Sequence, residues 1–379
     1  MGRNEPMSYF LICFSLLFPI RACLGAEALM DGSVLDVAKA SAANFVKEGL
    51  FFNALRSEER ALKMTQEDLG PIHPSLVPIL NDIGTIHRYM GHYVEAEKSY
   101  KWGLAIIENH FGPGTPETVP NLDLLAALYV DLGHYEEAML FYQKALRIQE
   151  KSHGSDPRPL VDTLRGIGDL DLRLGKGSEA QEALDRCFSL QKKSKEIDEL
   201  DRVETLEGLA EAAELQGRLE KAENDLKAAL ALREKDLPAG QGEIADSQEK
   251  LADFYQAHQR TAEAKTLYEK NWESRKRLVG PDLYVNIPYL YGAARTNRAL
   301  GNWKDAELLY DRVLNLKKQF FGDENPQVAY CLMEMADLSE AQKDKTKSLL
   351  RLKEAKKILE KNFDPDHPGI VKIQDRLGK

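Results

Sequence analysis

The 379-residue chain carries 51 Lys and Arg against 61 Asp and Glu, a formal charge of −10 at neutral pH, and 43% of its residues are hydrophobic. That is enough apolar material for an ordered core, and the negative balance argues against nucleic-acid binding, which depends on Lys and Arg meeting phosphates. Of the four cysteines, Cys13 and Cys23 lie near the N-terminus, and Cys187 and Cys331 are too far apart in sequence to form a disulfide framework or a metal cluster.

Residues 1–26 read as a secretory signal peptide. Arg3 precedes an apolar run from Tyr9 to Ile20, and small residues follow at Ala22, Gly25 and Ala26. The run is short for a bilayer span. Ile20-Arg21-Ala22-Cys23 also resembles a bacterial lipoprotein signal in which Cys23 would become the lipidated first residue, although Arg21 departs from that pattern. The expectation is an exported protein, periplasmic or extracellular, with a membrane tether through Cys23 as the variant of that reading.

The body of the chain is one unit repeated. In Leu122 to Lys151, Leu122, Leu125, Ala126, Tyr129 and Leu132 recur at the spacing of one helix face, and Tyr135, Ala138, Phe141, Tyr142, Ala145, Leu146 and Ile148 do so after Gly133. A glycine between two amphipathic helices is a C-terminal stop, because glycine enters the left-handed conformation without a Cβ penalty. Steps of 42 residues from Gly133 land on Gly49, Gly91, Gly175, Gly217, Gln259, Gly301 and Lys343.

The same step connects the positions where paired helices approach. The first helices supply Ala42, Gly84, Ala126, Gly168, Ala210, Ala252, Ala294 and Ala336. The second helices supply Ala54, Ala96, Ala138, Ala180, Ala222, Ala264, Ala306 and Ser348, and every one of these residues is small. Joints between units carry glycine and proline, as at Gly70-Pro71, Gly112-Pro113 and Gly280-Pro281; the joint from Lys195 to Arg202 lacks both and is expected to be looser. Cys187 takes the register position of Ala145 and Ala229, which suggests a small buried hydrophobe.

This pattern resembles the tetratricopeptide repeat, with Leu125, Ala126, Tyr129, Ala138, Tyr142 and Ala145 at the signature positions. The 42-residue period and the joints Gly70-Pro71-Ile72-His73-Pro74 and Asp364-Pro365-Asp366-His367-Pro368 are similar to the longer repeats of kinesin light chains. The resemblance implies an all-α, right-handed superhelical solenoid. Residues 28–363 would form eight units of about 42 residues, and residues 364–379 a C-terminal capping helix.

Chemistry-bearing constellations are not found. The eight histidines fall largely on repeat positions and lack a helical zinc-binding spacing, so no metal is expected. Gly175-Lys176-Gly177-Ser178 lies at a hairpin turn after a helix, not after the strand a phosphate loop requires. The aromatic ladders Phe51, Tyr93, Tyr135, Trp303 and Tyr100, Tyr142, Tyr268, Tyr310 read as core. Neither catalytic residues nor a cofactor are expected.

The resemblance places the first helices on the concave wall, so the candidate partner-binding residues are Asn81, Arg88, Asp169, Glu207, Glu211, Glu214, Glu249, Asp253, Arg295 and Arg298. Asn81 is the sole survivor of the asparagine ladder by which peptide-binding relatives hold a backbone. The run of carboxylates in the middle units would steer a basic segment of a protein or peptide partner. The reading is a non-catalytic protein-interaction scaffold; the alternative is an envelope assembly or trafficking factor anchored by lipid.

Overall fold

A computed structural model describes residues 49–152, 157–194, 197–237, 242–278 and 284–378. Residues 1–26 with Cys23, and the first helix expected before Gly49, lie outside the described residues. The described residues form α-helices and three short 3₁₀ turns. The opening helix is α1 (Phe51–Leu69). Helical hairpins follow: α2 (Leu76–Tyr89) with α3 (Tyr93–Phe111), α4 (Val119–Asp131) with α5 (Tyr135–Ser152), and α6 (Arg158–Arg173) with α7 (Gly177–Lys193). The chain continues through α8 (Arg202–Leu215) with α9 (Leu219–Asp236), α10 (Gly242–Ala257) with α11 (Thr261–Leu278), and α12 (Ile287–Ala299) with α13 (Trp303–Phe321). It ends with α14 (Pro326–Ala341), α15 (Lys345–Asn362) and α16 (Pro368–Leu377).

Each hairpin turn closes by the same backbone device. The amide of Gly133 donates to the Val130 carbonyl and that of His134 to the Tyr129 carbonyl, at 3.0 and 2.9 Å, which satisfies two carbonyls left over at the end of α4. This requires a left-handed residue, and Gly133 has φ of +79°. Gln259 and Lys343 make the same turn at φ of 61° and 64° without being glycine. Joints are shaped differently: Gly70, Gly112 and Gly322 cap their helices with φ near 90°, and prolines at Pro120, Pro159, Pro288, Pro326 and Pro368 occupy the first turn of the next helix.

The small residues sit where helices nearly touch. Ala54, Ala96, Ala126, Ala138, Ala180, Ala222, Ala252, Ala264, Ala294, Ala306 and Ala336 are all fully buried. Where glycine stands in this series, an aromatic or branched side chain takes the vacated volume. A Cβ on Gly84 would lie 2.5 Å from the Tyr100 ring, and one on Gly168 would lie 2.6 Å from Leu184. Cys187 and Cys331 are free and fully buried.

The superhelix closes on itself. Phe51 of α1 packs against Tyr284 and Phe321, with ring centroids 5.3 and 5.5 Å apart. Phe51, Ala54, Ile86 and Met90 share one hydrophobic cluster with Ile287, Leu290, Leu309, Cys331 and Met335. One unit further on, Tyr93 stacks on Phe363 at 5.4 Å. Another unit on, His134 meets Asp364 at 3.4 Å, and His367 Nε2 donates to the Asp131 carbonyl at 3.3 Å across 236 positions of sequence. These contacts join residues about five and a half to six and a half units apart, and the hairpin turns of the first units dock on the joints of the last.

The left-handed residues provide the first test. Gln259→Gly and Lys343→Gly remove Cβ strain but add freedom to the unfolded chain, a net stabilisation of up to about 1 kcal/mol each. A higher midpoint in thermal unfolding is expected for both; a lower one would show that these side chains hold their turns in place.

Candidate functional site

The inner wall is built from the first helix of every hairpin, so residues one repeat apart stand beside one another. Their side chains pair across that step. Arg88 donates to Asp131, Arg165 to Glu204 at 2.7 Å, and Lys250 to Glu207 at 2.7 Å. Arg295 reaches back to Asp253 at 3.0 Å and Glu249 at 3.2 Å. Arg298 reaches forward to Glu334 at 3.1 Å, and Arg376 of α16 meets Asp337 at 2.7 Å. Hydrogen bonds without a cation use the same step: Asn121 Nδ2 donates to Asn81 Oδ1 at 2.8 Å, and Thr163 to Asp123 at 2.8 Å.

Several expected groove residues are thereby committed to structure. Asn81 is locked in its amide pair with Asn121. Glu207, buried, accepts from Arg233, Ser247 and Lys250; these partners hold its carboxyl below the usual range against the opposing effect of burial. Glu249, also buried, accepts from Arg275 at 2.7 Å, and Arg275 is itself only 1% exposed. The Arg275 guanidinium fits because the facing residue is Gly292, where a Cβ would lie 2.2 Å from it. Asp253 accepts from Tyr268 as well as Arg295, and Glu214 contacts His258 Nε2 at 3.0 Å. Arg298 lies between Glu334 and Asp337.

Two of the expected residues differ. Asp169 on α6 and Glu211 on α8 stand one repeat apart with no hydrogen bond or ion pair among the described residues. Asp169 is exposed and Glu211 half-buried, yet desolvation by the surrounding wall pushes both carboxyls up, and the Asp169 charge raises Glu211 further. Arg173 and Lys250 act in the opposite direction on both without contacting either. Such a pair favours a cation that could enter between the carboxylates.

Among the described residues, no group of three or more His, Cys, Asp or Glu side chains is arranged to hold a metal ion. The sequence reading missed Arg165, Lys250, Arg275 and Arg376, whose cationic groups neutralise the wall. For Arg165, Lys250 and Arg376 the signal was available, because their wall pairs are separated by about one period, 43 positions for Lys250 and Glu207 and 39 for Arg165 and Glu204; Arg275 lies 26 positions from Glu249, on a second helix.

Tetratricopeptide-repeat models match residues 160–235 and 243–319 and residues 79–117 and 122–158, together more than half of the chain. The chain belongs to the tetratricopeptide-repeat family. Its fold is that of two solved tetratricopeptide solenoids. The apo form of RapI superposes with a TM-score of 0.52 at 11% identity, covering 86% of this chain and 98% of that one. A Rap protein complexed with competence and sporulation factor gives 0.51 at 12% identity, covering 91% and 96%. The repeats are also similar to those of a kinesin light chain from Podosopora anserina, at 21% identity over 55% of this chain and 98% of that chain, with a TM-score of 0.39. No curated protein sequence matches this tetratricopeptide-repeat chain.

The two kinds of carboxylate respond oppositely to removal. Glu249→Ala would strip the buried Arg275 of one of its two carboxylate partners, leaving Asp246 at 2.7 Å, a loss of about 1–3 kcal/mol, read as a fall in unfolding midpoint. Asp169→Asn and Glu211→Gln should raise stability at neutral pH, because a carboxyl pKa raised on folding makes stability fall as pH rises. That gain should shrink as pH drops through the raised folded values and vanish below about pH 4, where both states are protonated. Unfolding midpoints of the three variants between pH 3 and 8 check both signs.

Proposed function

We propose that the protein is a non-catalytic interaction scaffold whose inner channel receives an extended segment of a protein partner, with a lysine or arginine of that segment seated between Asp169 and Glu211. The observation that carries this reading is the contrast along the wall. Neighbouring wall carboxylates such as Glu204, Glu207, Glu249 and Asp253 each meet a cation of the chain itself, whereas Asp169 and Glu211 make no ion pair among the described residues, and burial pushes both carboxyls up. A ligand cation would relieve that unfavourable state, and the preformed wall would bind without first having to order itself. The solved Rap structure of like fold holds a protein's partner, competence and sporulation factor, which supports an interaction role for the solenoid.

The proposal extends to location. The signal-like residues 1–26 would send the scaffold out of the cytoplasm, with Cys23 as the site of a lipid tether if one is added. Among the described residues, no helix is long and apolar enough to cross a membrane. Cell fractionation, the N-terminal mass of the mature chain and radioactive fatty-acid labelling of Cys23→Ser against wild type test this. An intact Met1 on a cytoplasmic product would end the export reading.

For the channel, a fluorescent lysine-rich peptide is expected to bind wild type and to lose about tenfold in affinity, ~1.4 kcal/mol, in Asp169→Asn/Glu211→Gln. Binding should also weaken as salt is raised. A glutamate-rich peptide of the same length should not bind. Equal anisotropy titrations for wild type and the double variant would remove these two carboxylates from the site.

A further inference from the structure

The turn glycines are not equivalent. Gly49, Gly91, Gly133, Gly175 and Gly217 all have φ between 69° and 79°, so all need the left-handed conformation. The first three carry a second constraint. A Cβ on Gly49 would lie 2.7 Å from Phe320 and Tyr284, one on Gly91 would lie 3.1 Å from Asn325, and one on Gly133 would lie 2.7 Å from Pro368 and 3.0 Å from His367. On Gly175 and Gly217 a Cβ would meet nothing within 4 Å. The three constrained turns are those that meet the last units of the solenoid. Their glycines permit a close approach between successive superhelical turns.

The contact is specific as well as close. Phe363 is sandwiched between Tyr93 and His367, with centroids 5.4 and 4.0 Å away. His367 Nδ1 accepts from the Gly369 amide at 3.1 Å, which leaves Nε2 as the protonated nitrogen, and Nε2 donates across the seam to the Asp131 carbonyl. Leu132 and Tyr93 pack against the cluster of α14, α15 and α16. The same Asp131 holds Arg88 on the inner wall through its side chain, so seam and channel share a residue.

We infer that this seam is a latch that gates the channel: while it is shut, a partner segment can enter only by a free end, and a segment flanked by folded domains enters only when the seam parts. This inference rests on the channel reading given above and adds its regulation and the kind of partner segment it admits.

Gly133→Ala and Gly175→Ala separate the latch from ordinary turn strain, since both place alanine at positive φ but only the first drives a Cβ into Pro368. In small-angle scattering, Gly133→Ala is expected to increase the radius of gyration, and hydrogen exchange should quicken around Asp131 and His367, while Gly175→Ala matches wild type. Indistinguishable scattering from the two variants would overturn the latch. Should Gly133→Ala fail to fold, His134→Cys/Asp364→Cys in the full chain, joined by a short bismaleimide and located by peptide mapping, closes the seam covalently. The lysine-rich peptide, bare and fused at both ends to a small folded domain, is then the probe. The linked protein should bind the bare peptide and reject the capped one, and the unlinked protein should bind both. Equal capture of the capped peptide by linked protein would overturn the gate. Failure of the bare peptide to bind any form would overturn the channel reading and the gate with it, and the scattering comparison would still decide whether the seam is shut.

Discussion

The packing of Phe51, Ala54, Ile86 and Met90 against Leu290, Leu309, Cys331 and Met335 turns a linear array into a closed one. A solenoid is ordinarily stabilised unit by unit, each hairpin covering its neighbour and nothing further away. Here the first described helices share a core with units more than 200 positions along the chain, as the 236-position bond between His367 and Asp131 makes explicit. Such contacts carry a high loop-closure cost and form after the local hairpins do. Once made, they fix the superhelical pitch, because the turns at Gly91 and Gly133 fit only one spacing against Asn325, Pro326 and Pro368.

A closed wall changes the electrostatic problem for an acidic chain. In an open groove, carboxylates one repeat apart would be separated by water and screened. In a confined passage their repulsion is felt and their desolvation is costly. The inner wall answers with cations placed one step away, and the pairs vary in which unit supplies the positive partner: Arg295 reaches back to Asp253, while Arg298 reaches forward to Glu334. Buried pairs of this kind add little net stability over apolar packing. Their geometric demands are strict, however, as the guanidinium of Arg275 against Gly292 shows.

Much of the hairpin was legible in the sequence because its signals are local or periodic. Gly133, Ala126, Ala138 and Tyr142 each report a requirement met within one unit, and the 42-residue step repeats it. Lys343 was legible by register alone, and its positive φ shows that the turn imposes its conformation on whatever residue the copy supplies. The seam was not legible. Contacts near five and a half and six and a half units apart match no whole number of repeats, so they leave no periodic trace, and glycines forced by close approach look the same as glycines forced by a turn. The candidate site was half legible: Asp169 and Glu211 were visible as carboxylates, as were Glu207 and Glu249. What distinguishes them is the presence or absence of a partner on another helix, and Arg233 and Arg275, which lie on second helices, were outside the concave positions considered.

The distribution of glycine among the copies follows from these two demands. Where a turn faces solvent, the left-handed conformation costs a non-glycine residue only modest strain, and Gln259 and Lys343 accept it. Where a turn faces the next superhelical layer, a Cβ would collide with ring or proline atoms, and the described copies hold glycine at Gly49, Gly91 and Gly133 without exception. Replacement is tolerated late in the array and excluded early because only the early turns are covered. The asymmetry of the copies thus reflects a closed superhelix whose early turns are covered and whose later turns are not.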